Sequence, residues 1–181
     1  PIWAGWLGLR RPADMRARSR ALMAELAAHF AGRGGPVVLD LGAGTGATMA
    51  ALAQHLPGGQ HWRLVDDDPA LLARAAPVPR ASMETVPADL SSGVAALLDP
   101  VPDLVTASAF FDLASAPWID AFARAAAAHR VPVYAALSYD GRECWTPAHR
   151  LDAAALVAFH ADQGRDKGLG GPALGPEIGR A

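Results

Sequence analysis

Residues 37–47 read Val37-Val38-Leu39-Asp40-Leu41-Gly42-Ala43-Gly44-Thr45-Gly46-Ala47, or VVLDLGAGTGA. A short apolar run takes in one acid, Asp40, and then opens into a loop with glycine at every second position. Glycine loses more conformational freedom on ordering than any other residue, so three in five mark a tight turn or a close approach of the backbone to something else. The run from Pro36 to Leu41 is continuously apolar apart from that acid, as expected of a strand buried on both faces. Thr45 to Leu56 reads as the helix that follows, stopped by Pro57-Gly58-Gly59. A strand, a glycine loop and a helix in that order suit a nucleotide-like ligand, a phosphate or a closely packed helix.

Outward from this point the alternation continues. Upstream, Pro12 to Phe30 has helical spacing and ends at Gly32, Gly34, Gly35 and Pro36. Downstream, His61–Asp66 is a second strand, and Pro69–Ala76 a helix with Asp68 at its N-cap. A third strand falls within Glu84–Leu90, followed by a short helix from Ser92 to Leu98. Asp103–Ser108 is a fourth strand, Ala116–His129 a helix, and Val131–Ser138 a fifth strand. Five strands alternating with helices predict an α/β fold, a Rossmann-like doubly wound parallel sheet with helices on both faces.

The 181 residues are 51% hydrophobic and 19% charged, with a net charge of −2. That balance fits one folded domain and gives no basic field for nucleic acid or an anionic membrane. The lone Cys144 has no internal partner, and no Cys/His spacing suggests a metal. No apolar run approaches the roughly 18 residues of a membrane span, and no signal-peptide pattern opens the chain. The expectation is a cytoplasmic protein, and the richness in Ala, Gly, Pro and Arg suggests a GC-rich bacterial source. The single domain divides into a helical arm (1–34), a nucleotide-binding core (35–138), an insert on the substrate side (139–172) and the start of a last core helix (173–181).

Three ligand readings compete for the glycine loop. A P-loop needs a lysine that this stretch lacks. The dinucleotide fingerprint is met by Gly42, Gly44 and Ala47, with Asp66 near enough to hold a ribose. In the third reading, VVLDLGAGTG resembles the first motif of the class I S-adenosylmethionine (SAM)-dependent methyltransferases, matching its acid-x-G-x-G-x-G form throughout. LVDDDPALLARA (64–75) looks like that family's second strand and helix. PADL (87–90) looks like its segment after strand three, and DLVTASAFFDL (103–113) like strand four and its loop. Asp40 stands where a dinucleotide fold has an apolar residue, and Asp89 is an acid that NAD does not require. Both favour the third reading over an NAD(P)-linked oxidoreductase, and the elaborated Gly-rich loop after residue 163 weighs against a non-catalytic SAM-binding protein.

The resemblance implies SAM as cofactor, S-adenosylhomocysteine as product, a small-molecule methyl acceptor, and no nucleic acid or membrane partner. It implies that Gly42 and Gly44 admit the methionine part and ribose, and that Gly46 lets the next helix pack close. Asp40 holds the ligand's ammonium, directly or through water, Asp66 the ribose diol, and Asp67 the adenine side. Asp89 accepts from the adenine amine, Leu90 forms an apolar wall, and Ser108 lines the methionine part. Arg10 or Arg11 of the arm is a candidate for the ligand's carboxylate. Acceptor-side candidates are Tyr139, Asp140, Trp145, His149, His160 and Lys167, none with an assigned catalytic role. The family's sheet runs 3-2-1-4-5-7-6. Residues for strands six and seven do not follow here, so the expectation is either a five-stranded, all-parallel sheet or a piece of a longer chain.

Overall fold

The computed structural model describes residues 2–91 and 93–180. Its centre is a five-stranded parallel sheet in the order β3-β2-β1-β4-β5, built from β1 (Val37–Leu41), β2 (Gln60–Asp66), β3 (Ala81–Pro87), β4 (Leu104–Ser108) and β5 (Val133–Ala136). Strand β1 is central, so both of its faces are covered, and Val38, Leu39 and Leu41 have no exposed surface. This is the physical reason for its unbroken apolarity.

Alternation along β1 sends successive side chains to opposite layers. Leu39 and Leu41 join Val65, Val105, Phe110, Trp118 and Phe122 beneath α6 (Ala116–His129). Val38 joins Trp62, Leu64, Met49 and Phe30 on the other side, under α2 (Arg20–Phe30) and α3 (Ala47–Leu52). Full burial of each such side chain contributes roughly 1.5–3 kcal/mol, and the two layers together hold the sheet. Asp40 shares the Val38 face and pairs in register with Thr106 of β4.

The chain leaves β1 toward β2 on one side and reaches β4 on the other. The loops after β1 and β4 therefore diverge and leave a crevice above the carboxyl ends of the strands. The remaining elements of this layout are α4 (Pro69–Leu72), α5 (Val94–Leu97) and α7 (Asp152–Gln163). Among the described residues no helix is long and apolar enough to cross a membrane.

Several expectations need correction. The arm is two helices, α1 (Ile2–Ala17) and α2, broken at Arg18-Ser19, where the Ser19 Oγ accepts the Leu22 N–H and caps α2. Strand β3 begins three residues earlier than the Glu84–Leu90 window. As an edge strand it alternates half-buried and exposed residues, so apolarity does not mark its start. Ser92, the expected start of the following helix, lies outside the described residues, and α5 starts at Val94 after Gly93 in a left-handed conformation. Residues 173–180 do not begin a core α-helix, and Ala181, the last residue of that expectation, lies outside the described residues. Ala173 bridges Ser115, the Leu174 N–H donates to the Ala114 carbonyl, and Gly175–Arg180 forms a 3-10 helix against Phe111–Leu113.

Candidate functional site

A cavity of about 420 Å³ opens in the crevice. Gly42 and Gly44 form its floor, Asp66 and Asp67 one wall, Asp89 and Leu90 a second, and Ser108, Ala109 and Phe110 a third. Helix α1 covers it with Leu7, Arg10 and Asp14, and the glycine-rich loop after α7 closes it with Lys167, Gly168 and Leu169. Four separate strand ends thus converge on one space lined by both acids and apolar groups.

The glycine loop is shaped by close approach. Gly42 has φ +62°, and a Cβ there would lie 2.6 Å from the Phe110 ring. Gly44 has φ +53° and only Leu7 within 4 Å of a Cβ position, leaving its backbone open to the cavity. Its N–H donates to Asp66 Oδ2 at 2.8 Å, while Asp66 Oδ1 accepts the Asp68 N–H at 3.0 Å. Asp66 is only 7% exposed, and burial pushes its pKa up against the pull of those two backbone donors.

Asp67 is exposed at the rim. Asp68 turns away and caps α4, accepting from the Ala70 and Leu71 N–H groups. Asp89 lines the cavity and accepts the Ser91 N–H at 2.8 Å in a local turn; the Ser91 side chain and that N–H hold its carboxyl below the usual range. Leu90 is buried, with its carbonyl accepting the Trp118 indole N–H at 2.6 Å.

Two of the anticipated residues lie behind the wall. Gly46 caps α3 at φ +77° and packs toward Ala75, Leu64 and Met49, serving the helix approach and not the cavity. Asp40 has no exposed surface and does not line the cavity, so direct contact with a ligand ammonium is not open to it in this arrangement. Its Oδ1 accepts from Thr106 Oγ1 at 2.7 Å, and its Oδ2 has no partner among the described residues. Desolvation raises its pKa to about 7, with Thr106, the Arg18 charge and Thr48 pulling the other way.

Arg18 is the residue that sequence reasoning missed. It stands between α1 and α2, 95% buried by its 5% exposure, and reaches the cavity wall beside Ser108. Its Nη2 donates to Ser108 Oγ at 3.0 Å, and the Thr48 hydroxyl donates to the same oxygen at 3.0 Å. In sequence it is one of five arginines between positions 10 and 20 and reads as part of a solvated basic face. Only the break before Ser19 hints that it points elsewhere.

Of the arm candidates, Arg10 lines the cavity, paired with Asp14 at 2.8 Å, and Arg11 does not. Of the acceptor candidates, Lys167 alone lines it, bonded to Asp162 at 2.7 Å. Tyr139 and His160 meet at 2.7 Å outside the cavity wall. Asp140 is taken by Arg142, His149 closes the turn into α7, and Trp145 is exposed. Among the described residues no cluster of metal-ligating side chains occurs.

The strand order and the crevice define a doubly wound, Rossmann-like α/β protein. No family model matches the chain, and no curated protein is significantly similar to it. Solved structures similar to it include a cyclopropane-fatty-acyl-phospholipid synthase-like protein from Lactobacillus casei, at 19% identity and a TM-score of 0.45, covering 75% of this chain and 59% of that one. Another is an S-adenosylmethionine-dependent methyltransferase from Mesorhizobium loti, at 22% identity and a TM-score of 0.37, covering 59% and 44% respectively. The chain spans about half the length of these structures.

Proposed function

We propose that this chain is a SAM-dependent methyltransferase acting on a small-molecule acceptor. The observation that carries the reading is the convergence of Gly42, Gly44, Asp66, Asp67, Asp89, Leu90 and Ser108, from the ends of β1, β2, β3 and β4, on one cavity at the switch point. The donor set fits an adenosyl amino acid. Its carboxylates can accept from hydroxyls and an amine, its apolar groups suit a base, and a buried guanidinium without an ion-pair partner among the described residues suits an acid group.

Bound in this cavity, SAM supplies an electrophilic methyl group on sulfur. The chain's own residues do the holding. Asp66, itself fixed by the Gly44 and Asp68 N–H groups, keeps lone pairs for a ribose diol. Asp89 and Leu90 flank the base, with Leu90 locked by Trp118. Methyl transfer depends chiefly on alignment and proximity, which rigid strand ends provide. Leu7, Leu113, Leu137 and Leu169 add apolar surface to the cavity, which suits a small acceptor.

Calorimetric titration with SAM, S-adenosylhomocysteine and NAD in parallel tests the reading. The expected result is binding of the first two, lost in Asp66→Ala. Tight binding of NAD with no response to SAM overturns it in favour of a dinucleotide enzyme.

A further inference from the structure

A second hollow, of about 380 Å³, lies among the three helices α1, α2 and α3 and takes no residue from the strand ends. Met15 comes from α1, Arg20, Met23 and Ala24 from the start of α2, and Ala51 from α3. Gln54 and His55 reach it from the 3-10 turn Ala53–His55 that follows α3.

Its charge has one sign. Arg18, at the break between α1 and α2, and Arg20 are its cations, Gln54 and His55 add further N–H donors, and no acid lines it among the described residues. Arg20 and His55 make no hydrogen bond or ion pair among the described residues, and the Gln54 amide has only a local 3.5 Å contact with the Ala51 carbonyl. The first turn of α2 adds the positive end of a helix of 11 residues.

Arg18 is the buried member of the set, and it lines both hollows. Its Nη2 donates to Ser108 Oγ at the first, whereas Nε and Nη1 are buried with no partner among the described residues. The Asp40 carboxyl feels its charge without forming an ion pair with it. A guanidinium stays protonated at any ordinary pH and presents five N–H donors on more than one edge, so a group in the first cavity does not exhaust it. Buried donors left unmade are costly, and an anion in the second hollow would relieve that cost.

The apolar part of the lining shapes the rest of the guest. Met15, Met23, Ala24 and Ala51 offer no polar side-chain group, and methionine adapts readily to the outline of what it packs against. A bare inorganic anion would leave that surface unused.

We infer that this hollow is a second ligand site, for a small organic anion: a carboxylate on an apolar body about the size of one ring. The carboxylate takes charge-assisted hydrogen bonds from Arg18 and Arg20, and the body lies against the two methionines and Ala24. Apart from Arg18 the two hollows share no lining residue, so the inference does not rest on the proposed function.

The test is a nuclear magnetic resonance titration of the full chain, read from backbone amide shifts, with benzoate, its uncharged counterpart benzamide, and inorganic phosphate. Benzoate is expected to bind at about 1 mM, with shifts gathered on residues 18–24 and 51–55. Benzamide lacks the charge and phosphate the apolar body, and each is expected to bind at least about tenfold more weakly. Arg20 and Ala24 are exposed, so their variants keep the fold. Arg20→Gln is expected to weaken benzoate about three- to tenfold, and Ala24→Phe, which fills the hollow, by more than about tenfold. The inference is overturned by no response to benzoate, by equal binding of benzamide or phosphate, or by unchanged affinity in either variant. Shifts confined to residues 42–44 and 66–67, at the first cavity, overturn it as well.

Discussion

Asp66 and Gly44 are joined across the ends of two neighbouring strands: the Gly44 N–H donates to Asp66 Oδ2 at 2.8 Å, and the other carboxylate oxygen takes the Asp68 N–H. One side chain therefore shapes the glycine loop and the turn into α4 while facing the cavity. Asp66→Ala strands two backbone donors, each worth about 1–3 kcal/mol if left dry. The expected loss of stability in urea unfolding is about 2–3 kcal/mol. Asp66→Asn keeps an amide oxygen for one of the two donors and is expected to lose about half as much. A loss under about 0.5 kcal/mol in the alanine variant, the level of an ordinary surface change, contradicts the assignment.

Asp40 gives a pH signature. Its folded pKa of about 7 lies above the ordinary 3.8, so the folded chain holds that proton more tightly than the unfolded one. The contribution to stability is therefore fully present below about pH 4 and is lost as pH rises through 7. Asp66 and Asp112 are shifted in the same direction by burial, so the informative quantity is the difference from a variant. Between pH 5 and 7, wild-type stability is expected to fall by about 1 kcal/mol per pH unit more steeply than that of Asp40→Asn. Parallel slopes in the two proteins contradict a raised Asp40.

The three glycines differ in what they tolerate. At Gly42 a methyl group meets both a left-handed backbone and the Phe110 ring at 2.6 Å. Phe110 is itself held edge-on against Trp118, so it has little room to yield. Gly42→Ala is expected to cost about 2–4 kcal/mol, combining backbone strain with overpacking. At Gly44 only the strain applies, since the nearest atom is the Leu7 methyl at 3.9 Å, and the expected cost is about 1–2 kcal/mol. Equal thermal shifts for the two variants would contradict this division.

How much of this was legible depends on whether the signal was local. Strand β1 and its loop announce themselves, because burial on both faces forces an apolar run and close approach forces glycine. Helix α6 is equally plain: Ser115 caps it, Pro117 suits its first turn, and it ends at His129 as the spacing implies. The glycine-rich loop near residue 168 falls in the insert assigned to the substrate side, and Gly168 and Leu169 line the cavity. Tertiary consequences were not legible. Arg18 is buried because the break between α1 and α2 seats it beside Ser108 of β4, and apart from that break nothing near it in sequence records this. Asp40 reads as a ligand contact, yet its parity with Val38 turns it beneath the wall toward Thr106. Edge strand β3 carries Glu84 outward to His61 and Arg63, so its composition hides its start.

Trp118 links the core to the site, and that link can be cut without touching the cavity's acids. Its ring stacks on Phe122 at 5.5 Å and 15°, meets Phe110 edge-on at 5.5 Å, and its indole N–H donates to the Leu90 carbonyl at 2.6 Å. Phe110 in turn fills the space that Gly42 leaves. Trp118→Phe keeps an aromatic ring but orphans a buried carbonyl and opens a small void, for an expected loss of about 1–3 kcal/mol. The freed Leu90 segment is the wall proposed for the base, so affinity for 5′-methylthioadenosine is expected to weaken severalfold, about 1 kcal/mol. Stability lost with adenosyl affinity fully retained would mean that Leu90 belongs to the core alone and that the base is held elsewhere.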